Sequence, residues 1–245
     1  MYKSQCTMYS AITHFFGREC TMDLSSAKLF KAITTMQKGK FDTAIALLDK
    51  LIKKDPEEAE LYNLKGTCLF KLGRNEEALE CYEQAITHME TSAQYWNNKG
   101  LVLHHLERRA EAKAAYEHAL SLEKDHFLTT YNLGNLFIDT NPACAREWYE
   151  KALLIKPNHP FTLLNLGYLC AEACEYSRAE ECYTKALENQ ERYAAAAFYL
   201  GDLAERLCDT ETAIKWYEQA LDWDPDYEEA DERLSKIMVP LDKKE

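Results

Sequence analysis

Residues 62–86 read YNLKGTCLFKLGRNEEALECYEQAI, and residues 95–120 read YWNNKGLVLHHLERRAEAKAAYEHAL. Laid over each other, Gly66 meets Gly100, Ala78 meets Ala112, Tyr82 meets Tyr116 and Ala85 meets Ala119, always 34 residues apart. A fixed offset of this length marks stacked units, each too small to bury its own apolar face. The same alanine recurs at Ala44, Ala78, Ala112, Ala145, Ala179 and Ala213, at intervals of 34, 34, 33, 34 and 34. Four residues after each stand Leu48, Tyr82, Tyr116, Tyr149, Tyr183 and Tyr217. Seven after each stand Leu51, Ala85, Ala119, Ala152, Ala186 and Ala220.

A second set lies upstream: Ala32, Gly66, Gly100, Gly134, Gly167 and Gly201. Each precedes its alanine by 12 residues, except that Gly134 precedes Ala145 by 11. The missing residue falls in IDTNPAC (138–144), beside Pro142. A turn absorbs such a deletion, whereas a helix interior would rotate its apolar face. The pattern predicts two antiparallel helices per unit. Small residues at the Gly and Ala positions let the helices approach, and Tyr or Leu fills the space beside them.

Period, positions and residue types together closely resemble the tetratricopeptide repeat family. Counting within each unit, the family's fourth-position aromatic is Tyr62 or Trp96, and its closing proline is Pro56, Pro157 or Pro225. Thr130 departs at the fourth position, and Glu90, Lys124 and Glu191 replace the proline. The resemblance implies an all-α, right-handed superhelical solenoid of six units, at 25–58, 59–92, 93–126, 127–159, 160–193 and 194–227. After these, EEADERLSKIM (228–238) places Ala230, Leu234, Ile237 and Met238 on one stripe, which predicts a capping helix before a polar tail at 239–245. Before them, Met8, Ala11, Ile12, Phe15 and Phe16 share a stripe within 1–24, read as a short capping helix or a loose extension.

Composition narrows the function. Lys and Arg number 29 against 41 Asp and Glu, a formal charge of −12, and no basic run relieves the repulsion a nucleic acid would meet. The nine cysteines are dilute, odd in number and form no CxxC pair, which fits reduced thiols in a reducing compartment. No secretory or membrane-spanning segment is recognisable, so the expected location is cytoplasmic. No phosphate loop, HExxH or GxSxG motif occurs, and the expectation is a non-enzyme without a cofactor. His104 and His105, with His118 nearby, are the most metal-like feature, but neighbouring helical residues point about 100° apart and rarely share an ion.

What remains is a surface. The resemblance implies that one stripe of each first helix lines a concave groove for an extended peptide or a partner helix. Carried over position by position, the stripe contains Asn63, Asn97, Asn98, Asn132, Asn135 and Asn165. Asn98, Asn132 and Asn165 form a ladder whose carboxamides could pair with a peptide backbone, or hold only water. Tyr131, Phe161, Leu164, Tyr168 and Phe198, with Leu128, make an apolar shelf that either anchors a partner or packs adjacent first helices together. His105, Asp202 and Arg206 complete the stripe. The lysines and arginine of the family's carboxylate clamp are absent from these positions, so a chaperone tail would find no charged grip. The expected partner is an extended segment with hydrophobic residues. The rival readings are a subunit buried permanently in an assembly and, behind it, an RNA-binding helical-repeat protein.

Overall fold

The structure, a computed structural model, describes residues 24–238. Among them are thirteen α-helices and no strand: α1 Leu24–Gln37, α2 Phe41–Ile52, α3 Ala59–Lys71, α4 Asn75–His88, α5 Ala93–His105, α6 Arg109–Leu122, α7 Phe127–Phe137, α8 Pro142–Ile155, α9 Pro160–Glu172, α10 Tyr176–Asn189, α11 Ala194–Arg206, α12 Thr210–Trp223 and α13 Glu228–Met238. The fold is an all-α solenoid of helical repeats. The apolar stripe expected at Met8–Phe16 and the tail at 239–245 lie outside the described residues. The chain divides after Glu90 into two compact units. Helices α1–α4 belong to the first, and α5–α13 to the second.

In the second to sixth pairs, a glycine of the first helix meets a ring of the second. A methyl group added at Gly100 would sit 2.6 Å from the Tyr116 ring, and one at Gly66 would sit 2.9 Å from Tyr82. The same contact joins Gly134 to Tyr149, Gly167 to Tyr183 and Gly201 to Tyr217. Tyr116, Tyr149, Tyr183 and Tyr217 are among the largest fully buried side chains. The helix-propensity cost of each glycine, about 1 kcal/mol, is offset by the ring it admits.

Five of the turns inside the pairs share one geometry. Gly39, Gly73, Glu107, Cys174 and Cys208 take positive φ, between 58° and 74°. In each turn the next N–H reaches back five residues: Lys40 to Thr35, Arg74 to Leu69, Arg108 to Leu103, Glu175 to Cys170 and Asp209 to Ala204, at 2.8–3.1 Å. This is the Schellman ending, which satisfies carbonyls a helix would otherwise leave bare. The fourth pair differs. Its turn is one residue shorter, and α8 starts instead on Asn141, whose side chain accepts from the Cys144 N–H, with Pro142 in the first turn.

Packing between pairs is built into the second unit as well. Each second helix lies against the next first helix, and α5 also touches α7 directly, as α9 touches α11. The first helices therefore make up one continuous side of this unit, and on that side most of the expected site residues fall.

Candidate functional site

Asparagine chemistry dominates the start of this side. Asn98 accepts from Gln94 at 2.8 Å and from Asn97 at 3.4 Å. Across the gap to α7, Asn132 Nδ2 donates to Asn97 Oδ1 at 3.0 Å, and Thr129 Oγ1 donates to the same oxygen at 3.2 Å. One pair later, Asn135 Oδ1 accepts from Asn165 at 3.0 Å and from the Tyr149 hydroxyl at 2.8 Å. The carboxamides thus bond one first helix to the next. Asn97 is 1% exposed, and Asn98 and Asn132 are 8% exposed.

This placement corrects the picture of an open ladder. Asn97 and Leu164 occupy the fifth position of their helices, and the Asn97 carboxamide turns to the neighbouring first helix. Leu164 is a core residue, 1% exposed, rather than part of a shelf. Asn63, at the same position of α3 in the first unit, is buried too and donates to Glu60 at 3.3 Å.

The other shelf residues are half-buried or exposed. Tyr131 and Phe161 flank the His159 ring at 5.5 and 5.6 Å, and Phe127 meets that ring edge-on at 4.6 Å. Tyr168 is the most open, 36% exposed, and stands edge-on to Tyr199 at 6.0 Å. Phe198 packs among Tyr199, Tyr217 and Tyr227. These rings pack adjacent helices and still present edges to solvent.

Charge closes the far end. Arg206 donates to Asp202 at 2.7 Å within α11 and to Glu172 of α9 at 2.7 Å. From α13, Arg233 reaches Asp202 and Glu205 at 3.3 Å, and Glu205 also accepts from the buried Tyr217 hydroxyl at 2.9 Å. His105 is exposed at the opposite end. Its ring lies 6.3 Å from that of His104, and His118 is stacked obliquely under Trp96 at 4.1 Å.

Two residues absent from the expected set organise the middle. His126 and His159 are the N-caps of α7 and α9, each ring nitrogen Nδ1 accepting at 3.3 Å from the backbone N–H three residues on. Burial holds both imidazoles below the ordinary histidine pKa, and His159, with Lys156 adding to the effect, falls to about 4. The signal was available: His-x-x-Thr recurs at 126–129 and 159–162, at the boundary where a cap belongs.

No described helix is long and apolar enough to cross a membrane. Comparison with known proteins agrees with the register. One family model described as tetratricopeptide repeat matches residues 31–99 and 164–228, and a second of the same description matches 93–126. No curated protein matches the chain. Among solved structures, pilF of Pseudomonas aeruginosa is 24% identical, with a TM-score of 0.75 over 86% of this chain and 97% of its own. PilW, a type IV pilus biogenesis factor, is 21% identical, with a TM-score of 0.74 over 89% of this chain and 100% of its own. YrrB, described as a TPR protein with an unusual peptide-binding site, is 22% identical, with a TM-score of 0.58 over 77% and 97%. At these identities the likeness is one of fold.

Proposed function

Because the chain belongs to the tetratricopeptide repeat family, we propose that it is a non-enzymatic interaction adaptor whose second unit takes an extended partner segment along its first helices. The observation that carries this reading is the row of partly open rings, Tyr131, Phe161, Tyr168 and Phe198, on one continuous side. Amphipathic rings of this kind give contact area at little entropic cost. The asparagines beneath them hold the helices in register, and Asn135 and Asn165, half-buried, form the polar part of the floor. Asp202 and Arg206 mark a charged end. A partner segment with one or two hydrophobic residues fits this surface better than a carboxylate terminus.

Peptides selected from a random displayed library against the full chain test the idea. Their affinity is expected to fall about tenfold in Tyr168→Ala, the loss of one partly exposed anchor. Selected peptides that bind this variant equally well, or that crosslink only to α6, α8 and α10, sink it.

A second reading rests on a different observation. Leu154 in α8 is 83% exposed and Leu122 in α6 is 40% exposed, both on second helices. Such apolar exposure suits a subunit whose outer side is covered in an assembly. Light scattering of the isolated chain separates the two, since Leu154→Asp would improve solubility only under the assembly reading.

A further inference from the structure

Helix α3 lies on α2 through a stripe of residues spaced i, i+3, i+4 and i+7: Leu61, Leu64, Lys65 and Cys68. The three apolar members join the core that holds Leu48 and Leu51 of α2, and Lys65 pairs with Asp49 of α2 at 2.7 Å. The register, 34 residues earlier, puts Ala27, Phe30, Lys31 and Thr34 on the same stripe of α1. Among the described residues no helix precedes α1, and its stripe is bare. Phe30 is 53% exposed, against 8% for Leu64. Lys31, at the position of Lys65, is exposed and has no ion pair among the described residues.

Charge says what fits there. On a chain of formal charge −12, residues 24–41 hold Lys28, Lys31, Lys38 and Lys40 and no acid. All four lysines are exposed. The last helix is the reverse: residues 222–232, DWDPDYEEADE, hold seven acids and no base. The bases that follow are engaged, Arg233 inward with Asp202 and Glu205, and Lys236 with Glu232. Ala230, Leu234 and Ile237 of α13 pack with α12. Beside them Glu228, Asp231, Ser235 and Met238 form an exposed stripe, on which Met238 is 62% exposed. The segments outside 24–238 leave this contrast unchanged, because Lys3 and Arg18 balance Glu19 and Asp23, and Lys243 and Lys244 balance Asp242 and Glu245.

We infer that the bare stripe of α1 is covered by α13 of a second copy of this chain. Phe30 and Met238 cover each other, and Lys28 and Lys31 meet Glu228 and Asp231, as Lys65 meets Asp49 within the chain. At physiological salt, charges farther apart than about 8 Å are largely screened, so the facing helices decide the contact and the net charge does not. The contact joins two unlike faces. A row of copies therefore always keeps one of each free, and its growth is open-ended.

Sedimentation velocity of the full chain over a concentration series tests this, and the sedimentation coefficient is expected to go on rising past that of a dimer. Phe30→Ser, at an exposed position that leaves the core intact, is expected to weaken association about tenfold. Lys28→Glu/Lys31→Glu and Glu228→Lys/Asp231→Lys are each expected to stay monomeric with unchanged circular dichroism. An equimolar mixture of these two is expected to associate again, because each then faces the opposite charge on the other. A wild type that is monomeric at every concentration, its α1 stripe left to residues 1–23 or to another protein, would overturn the inference. So would association that stops at a dimer, a Phe30→Ser variant that associates as the wild type does, or a mixture that stays monomeric.

Discussion

At the scale of single residues, the five tyrosines that face the packing glycines are alike in position and unlike in what their hydroxyls meet. Tyr149 donates to Asn135 at 2.8 Å and Tyr217 to Glu205 at 2.9 Å, while Tyr82 shares a hydrogen bond with Thr67 at 3.2 Å. The Tyr116 hydroxyl is buried with no hydrogen-bond partner. The cause is one position: Leu101 stands where the second and fourth pairs carry Thr67 and Asn135, the partners of Tyr82 and Tyr149. A buried hydroxyl left unpaired costs about 1–3 kcal/mol, whereas a satisfied one contributes about 1 kcal/mol. Tyr116→Phe is therefore expected to leave stability unchanged or raise it, and Tyr149→Phe to lower it by about 1 kcal/mol. Urea unfolding of the two variants side by side checks the sign; equal losses would refute the account.

At the scale of elements, the histidine caps tie helix starts to pH. An N-cap must accept hydrogen bonds, so His126 and His159 have to be neutral in the folded chain. His159 has its pKa lowered to about 4, against about 6.5 for a free imidazole. The folded state thus binds the proton less readily than the unfolded one. Its stabilising contribution is complete above about pH 6.5 and is lost as the pH falls from there toward 4. With allowance for partial exposure the loss is on the order of 1–2 kcal/mol. His126 and the half-buried His104 shift the same way, so their effects add in sign. A melting-temperature series between pH 7 and 4 should fall, and His159→Asn, which keeps a capping acceptor, should flatten it. A His159→Asn profile parallel to that of the wild type would rule the cap out as its source. The repeat register located these helix starts, because periodicity reports which residues share a face. It could not say that Asn97 would spend its oxygen on Asn132 and Thr129, because donor direction depends on how closely the neighbouring helix approaches. For the same reason Leu164 and Tyr168, four residues apart on one helix, read alike in sequence and end up in the core and at the surface.

For the whole molecule, the register is the fold, and it is kept by turns. The fourth pair tolerates a spacing of 33 because Asn141 and Pro142 begin α8 afresh. One alanine inserted between Thr140 and Asn141 restores the 34-residue spacing and is expected to change the urea midpoint little. The same insertion between Trp148 and Tyr149 turns the rest of α8 by about 100° and should remove Ala152 from its fully buried place. The loss expected there is several kcal/mol, as for other disruptions of a packed core. Circular dichroism during urea titration distinguishes the two, and similar midpoints would mean that the helix phase is not what holds the array.

The glycine–tyrosine contact bears on how such a chain can diverge over generations. Neither member of the couple can drift alone: a side chain at Gly100 collides with Tyr116 unless the ring shrinks first, and a shrunken ring leaves a hole. Five such couples, each internal to its own helix pair, make five of the six repeats heirlooms passed on whole. The outward-facing positions carry no such bond and are left to answer to whatever partner the lineage meets.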